Sequence, residues 1–428
     1  MTDMKPRADE ISLSESASSP QGSAADDDLL ARIQREQDRF AFNQAAASGD
    51  VEAIEALVSR GADARSQGIM GHTPLMIAVD AVRLAAARAL LPHSDPDAVT
   101  EPAHGSRTAL MMAATGRQPR MIEILAPVSD TGRRSDQGKT ALMLAAEQAS
   151  PECVRLLLPY GHADAQDAHG DTALMLAALE LNESCVRLLL PCSDLSLRNE
   201  RGQTPLMNAA AAGDAPSIEL LAPLFDPDEL DRDKHGALYY AAIETETEAL
   251  EALLKFSSPN LEIAGDNGET VLMGCVINGF DDSARVLLKN GANPNARNAA
   301  GLTPLMLSAL HSNRAMAELL IPVSDISLVA PGENGPLGAV DFALRRVADG
   351  EQMRHSFLDA FFEIATPAQL DLGVSLLSSP MTQAPRWFAR REALAIQKEI
   401  QKEAGTAEDK GPSVAPNAAG GAPATRRV

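Results

Sequence analysis

Apolar residues along this chain fall into two alternating kinds of block. One has the form Thr-(Pro/Ala)-Leu-Met-x-Ala. The other carries Leu and Val at helical spacing after a polar break, as in ECVRLLLP and SCVRLLLP. The first block reads TPLMIA from Thr73, TALMMA from Thr108, TALMLA from Thr140 and from Thr172, TPLMNA from Thr204, TVLMGC from Thr270 and TPLMLS from Thr303, with a degenerate GALYYA from Gly236. Successive starts are 35, 32, 32, 32, 32, 34 and 33 residues apart. A looser unit, FAFNQAAASGDVEAIEALVSRGAD, precedes the series and GAVDFALRRV follows it from Gly338, so the array runs from about residue 38 to 348, some nine units.

Each unit predicts a turn and two short helices. A glycine two positions before the Thr (Gly71, Gly138, Gly170, Gly202, Gly268, Gly301) supplies a permissive backbone for the turn. Pro74, Pro205 and Pro304 suit the first turn of a helix, where a missing N–H costs nothing. Breaks such as Gly213-Asp214 and Ser150-Pro151 place a cap and a pre-set proline at the start of the second helix. That helix is expected to stop at Pro159, Pro191, Pro223 or Pro322. One such pair cannot bury its apolar face alone, whereas stacked neighbours share a continuous core worth roughly 25 cal/mol per Å² removed from water. The fold expected is an all-α solenoid of helix-turn-helix units with a C-terminal helical cap.

Composition narrows this further. The chain is 45% hydrophobic but only 3% aromatic, which argues against a β-sandwich and for helices packed through small side chains. A net charge of −22 repels phosphate and disfavours nucleic acid as a partner. The four cysteines form no CxxC pair and read as reduced thiols of a cytosol-like compartment. The N-terminal stretch lacks the apolar run of a secretory signal, and no segment approaches the roughly 20 apolar residues of a membrane helix. The sequence holds no HExxH, GxxxxGK[ST], GxSxG or DxDxDG motif, so no metal, cofactor or catalytic residue is expected. Cys153 and Cys185 lie one period apart, in ECVRLLL and SCVRLLL. A redox or metal pair and a pair of small buried core residues are the alternatives, and the lack of a histidine at ligand spacing favours the core.

The turn, the T-P-L-x-x-A helix and the L-L helix at this spacing resemble the ankyrin repeat, over residues 38–348 and most closely from Gly279 to Ala309. Two departures stand out. Met replaces the family's usual His after T-P-L (Met76, Met111, Met143, Met175, Met207, Met273, Met306), and several units read L-L-P-x-x-D in place of L-L-x-x-G-A-D. The first change is expected to substitute apolar packing for part of a hydrogen-bond network. The resemblance implies a non-enzymatic scaffold that binds a partner protein through its turn tips and concave face. Carried over by position, the contact candidates are His72; Asp136, Gln137, Lys139 and Glu147; His169, Asp171 and Glu180; Glu200, Arg201 and Gln203; and Asp266, Asn267 and Glu269. Their mixed but acid-leaning charge predicts a partner with a basic or mixed surface. The alternative is that they are solvated turn residues.

The flanks differ in kind. Residues 1–37 read as a Ser- and Asp-rich disordered leader and 404–428 as a low-complexity tail. Residues 349–403 form a helical segment that is unusually aromatic for this chain, followed by a basic helix from Pro385 to Lys402 with five basic and two acidic residues. These helices are expected to cap the last repeat; the basic one could instead dock a partner or an acidic membrane surface. Ala- and Arg-rich usage resembles ankyrin proteins of bacteria, which implies one of two roles for a monomeric, cytoplasmic protein. One is an effector delivered into a host cell; the other is a resident adaptor or inhibitor. The rival class is an enzyme with its chemistry within residues 340–403.

Overall fold

A computed structural model describes residues 21–244, 247–265, 267–311, 313–332, 336–348 and 355–366. The chain divides into two compact units, Met1–Phe225 and Asp226–Val428. Both are all-helical: among the described residues, β-pairing is confined to isolated antiparallel bridges such as Ala264 with Thr270.

In the first unit, the first helices of successive repeats are Pro74–Asp80, Ala109–Thr115, Ala141–Glu147, Ala173–Leu179 and Pro205–Ala212. Their second helices are Leu84–Leu90, Pro119–Leu125, Pro151–Leu157, Glu183–Leu189 and Ala215–Leu221. In the second unit the corresponding pairs are Ala237–Ala242 with Glu248–Phe256, Val271–Asn278 with Asp281–Lys289, and Pro304–His311 with Arg314–Leu320. First helices stack on first helices and second on second within each unit. The Ala, Leu and Met of the repeated block are buried throughout.

The repeated threonine is the N-cap the pattern anticipates. Thr73, Thr140, Thr172 and Thr204 are extended, and each hydroxyl accepts from the N–H of the methionine three residues on, at 3.2–3.3 Å. In three of these caps the methionine answers in kind: the Thr73, Thr140 and Thr204 N–H groups donate to the sulfurs of Met76, Met143 and Met207 at 3.4–3.5 Å. The Met that replaces the family's His therefore closes a capping box through a weak sulfur acceptor, in addition to packing.

One local expectation gains detail and two shift. The second helices end as α-helix at Leu157, Leu189, Leu221 and Leu320, ahead of their prolines, and the first three then tighten into 3-10 turns (Leu158–Tyr160, Leu190–Cys192, Ala222–Leu224) that hold Pro159, Pro191 and Pro223 in second place. The change of pitch removes the need for the proline's absent N–H. Ser150 makes no side-chain cap, whereas Asn182 does, accepting from the Cys185 N–H at 2.9 Å. The opening helix runs Gln21–Ser48, so helix occupies the later part of the segment 1–37 read as leader, and residues 1–20 lie outside the described ones. Its DLLARIQREQDRF stretch is rich in strong helix formers, and its C-terminal part packs on Val51–Ser59 and Pro74–Asp80.

At the other end, Ala339–Ala348 stacks on Pro304–His311, and His355–Ile364 packs on Arg314–Leu320. Phe357 and Phe361 of the last helix are fully buried with ring centroids 6.3 Å apart, and Arg314 pairs with Glu363 at 2.6 Å. This is the expected helical cap. With it the described residues hold ten helix pairs, the last made by the GAVDFALRRV helix with His355–Ile364. The basic stretch 385–402 lies outside the described residues.

Candidate partner-binding surface

The tips close on themselves in one register, apart from longer ones such as that before Thr108, where the Thr100 N–H donates to the Arg107 carbonyl at 3.0 Å. The N–H five residues before the helix N-cap donates to the carbonyl one residue before it: Gly68 to His72, Ser135 to Lys139, Asp167 to Asp171, Asn199 to Gln203, Gly265 to Glu269, at 2.8–3.3 Å. A short polar side chain at the start of the tip then ties it down. Asp167 Oδ1 accepts from the His169 and Asp171 N–H groups, and Asn199 Oδ1 accepts from those of Arg201 and Gln203.

Neighbouring tips are also laced together. Asp136 N–H donates to the Gly105 carbonyl at 3.1 Å, Ala168 N–H to Gln137 at 2.9 Å and Glu200 N–H to His169 at 2.8 Å. In the second unit Ala299 N–H donates to Asn267 at 2.8 Å. Gly170 shows why this position is glycine. Its φ is +78°, and a Cβ there would sit 2.8 Å from the Glu200 nitrogen, so any side chain would collide with the next tip. Long polar side chains add a second tie that the sequence reading missed. Gln166 Nε2 donates to the Gly170 and Arg198 carbonyls at 2.7 and 2.8 Å, and Arg297 reaches Val329 at 2.8 Å. Their signal was a Gln or Arg recurring six residues before the threonine.

This architecture sorts the contact candidates into two rows. Asp136, Gln137, His169, Glu200, Arg201 and Asn267 are exposed at the tips, and Glu180 is exposed at the end of its helix. His72, Asp171 and Glu269 are half-buried at the tip base. Lys139 and Gln203, at the same base position, are each only 8% exposed and serve the fold. Lys139 pairs with half-buried Glu147 at 2.6 Å, and Gln203 accepts from the Asn199 amide at 3.0 Å. The Asn199 amide also donates to Asp171 at 2.9 Å. Burial holds the Asp171 carboxyl above its ordinary range, opposed by that hydrogen bond. Asp266 lies outside the described residues.

Cys153, Cys185 and Cys275 are fully buried, and burial pushes the Cys185 thiol up to about 11 and the Cys275 thiol to about 12. Both are inert as nucleophiles at neutral pH. Cys192 is exposed. Among the described residues no three His, Cys, Asp or Glu side chains are grouped to hold a metal ion, and no helix is long and apolar enough to cross a membrane.

One cleft stands apart, in the second unit. It encloses about 290 Å³ and is lined by His235, Tyr239, Asn267, Glu269, Gly274 and Asn278 among others. The degenerate GALYYA block marked the place, since it loses both the Thr cap and the Met.

A family model described as ankyrin repeats (3 copies) matches residues 42–134, 110–199, 182–264 and 246–330. The chain belongs to the ankyrin-repeat family. It is 34% identical over 99 residues to human transient receptor potential cation channel subfamily A member 1, which spans 23% of this chain and 9% of that channel protein. Among solved structures, the ankyrin repeat domain of Bcl-3 covers 47% of this chain and 94% of its own, with 26% identity and a TM-score of 0.43. The human ASB11 ankyrin repeat domain covers 51% of this chain and 98% of its own, with 22% identity and a TM-score of 0.45.

Proposed function

We propose that this ankyrin-repeat protein is a non-enzymatic scaffold that binds another protein across its turn tips and the adjoining faces of its first helices. The observation that carries this reading is the laced row of tips. Exposed Asp136, Gln137, His169, Glu200 and Arg201 sit on backbone that each neighbour holds in place, so little conformational entropy remains to be lost on binding. Glu200 lies beside Arg201 and Asp136 two tips away, in a chain of net charge −22, which favours a partner with a basic or mixed surface. The protein acts as a monomer in the cytosol. The test is capture of partners from cytosolic extract by the full chain and by a variant carrying Asp136→Arg, Glu200→Lys and Arg201→Glu. These exposed substitutions leave the fold intact and are expected to abolish capture. Partners retained equally by both proteins would overturn the choice of surface.

Two roles fit a cytosolic scaffold: an effector delivered into a host cell, or a resident adaptor or inhibitor. In the effector role the Ser-rich N-terminal stretch serves as the secretion signal. A translocation reporter fused to the first 40 residues decides between them, since no transfer into host cells removes the effector role.

A further inference from the structure

We propose that the cleft of the second unit is an anchor pocket for one arginine side chain of the partner; the inference rests on the scaffold reading above and names where that partner is gripped. Two departures from the repeat pattern meet there. Tyr239 stands where the seven Thr-capped first helices carry Met. Gly274 stands where they carry residues such as Ile77, Met112, Leu144, Leu176 and Leu307. A Cβ at Gly274 would lie 3.4 Å from the Tyr239 ring, in ordinary van der Waals contact, so a leucine there would extend across the tyrosine face and into the cleft. Glycine inside a helix weakens it, and here it leaves the cleft open.

The lining suits a guanidinium. His235 lies flat on Tyr239, with ring centroids 3.9 Å apart and planes 7° from parallel, and forms an aromatic wall. The carboxylates of Glu269 and Asp233 and the amide of Asn267 also line the cleft, with Lys234 as its one cation. Asn278 spends its amide N–H on the Gly274 carbonyl at 2.9 Å, which leaves its amide oxygen as an acceptor. Carboxylate and amide oxygens around a planar wall match a flat, five-donor cation better than an ammonium, and two carboxylates against one lysine in the lining favour a charged guest over an uncharged one. A volume of about 290 Å³ is at the lower limit of small-ligand sites and fits a single side chain.

The test titrates the full chain with N-acetyl-arginine N-methylamide, followed by NMR, alongside the citrulline and lysine analogues and free arginine. Saturable shifts confined to the cleft are expected with the capped arginine, and roughly tenfold weaker binding with the uncharged citrulline isostere. Glu269→Gln keeps the shape of the cleft and is expected to weaken the capped arginine to the citrulline level. The double variant Tyr239→Met/Gly274→Leu restores side chains that other repeats already carry, fills the cleft and is expected to abolish binding. Unsaturable shifts, equal binding of citrulline, or indifference to Glu269→Gln would overturn the proposal. Tighter binding of free arginine than of the capped form would also overturn it, by assigning the cleft to the amino acid. If the probe fails while reversal at Glu200 and Arg201 still abolishes partner capture, only the pocket falls. If the probe binds while capture ignores the reversal, only the choice of tips falls.

Discussion

Gly170 carries two constraints at once, a positive φ and the nitrogen of Glu200 at 2.8 Å from where a Cβ would be. Gly170→Ala is expected to cost about 2 kcal/mol, measured by urea unfolding, because neither constraint can relax without parting two tips. Asp171 beside it tests the electrostatics. Burial raises its carboxyl above the unfolded value, so the ionised form is disfavoured in the folded chain. The cost is present at neutral pH and disappears as pH falls through the folded pKa. Asp171→Asn keeps an oxygen for the Asn199 amide. It is therefore expected to raise the melting temperature at pH 7, with the gain shrinking toward zero below about pH 4. A gain that grows on acidification would contradict the assigned cause. The thiols give a third check. Of the four cysteines, Cys192 alone is exposed, so a thiol reagent at neutral pH is expected to label one site rapidly in the native chain and four in urea. Rapid native labelling of Cys153 or Cys185 would contradict their place in the core.

At the scale of the element, the link between the two helices of a repeat is itself testable. Gly213 and Gly279 turn the chain with positive φ, but Leu181 does so at +52° with its side chain 63% exposed. Leu181→Gly is expected to stabilise the chain by about 1 kcal/mol, because a left-handed leucine is strained and this one buries little in return. Helix existence, period and caps were legible in the sequence, since Thr, Pro and Gly act locally. The fate of the prolines was not, because 3-10 tightening depends on the turn that follows, as at Leu158–Tyr160. Nor was the start of the Gln21–Ser48 helix, where Ser- and Asp-rich composition outweighed the helix formers after it. The contact candidates were chosen by position in the turn. Position alone could not separate exposed Glu200 and Arg201 from buried Gln203, because that depends on a bond to Asn199 within the folded turn. The cleft escaped notice because its two departures, Tyr239 and Gly274, lie in different repeats and meet only in the fold.

At the scale of the whole molecule, membership of the ankyrin-repeat family and the stacking of repeats within each unit rest on one physical idea: each repeat completes its neighbour, both through the buried helix faces and through bonds from tip to tip. A surface built that way is rigid without being buried, which is what the scaffold reading requires. The most direct test is residue-resolved amide hydrogen exchange of the full chain. Slow exchange is predicted at the Asp136, Ala168 and Glu200 N–H groups, recurring with the repeat, and at Ala299 in the second unit, with Glu200 losing its protection in Gly170→Ala. Tips that exchange as fast as an unstructured peptide while the helices stay protected would contradict the idea that neighbouring repeats hold the binding surface in place.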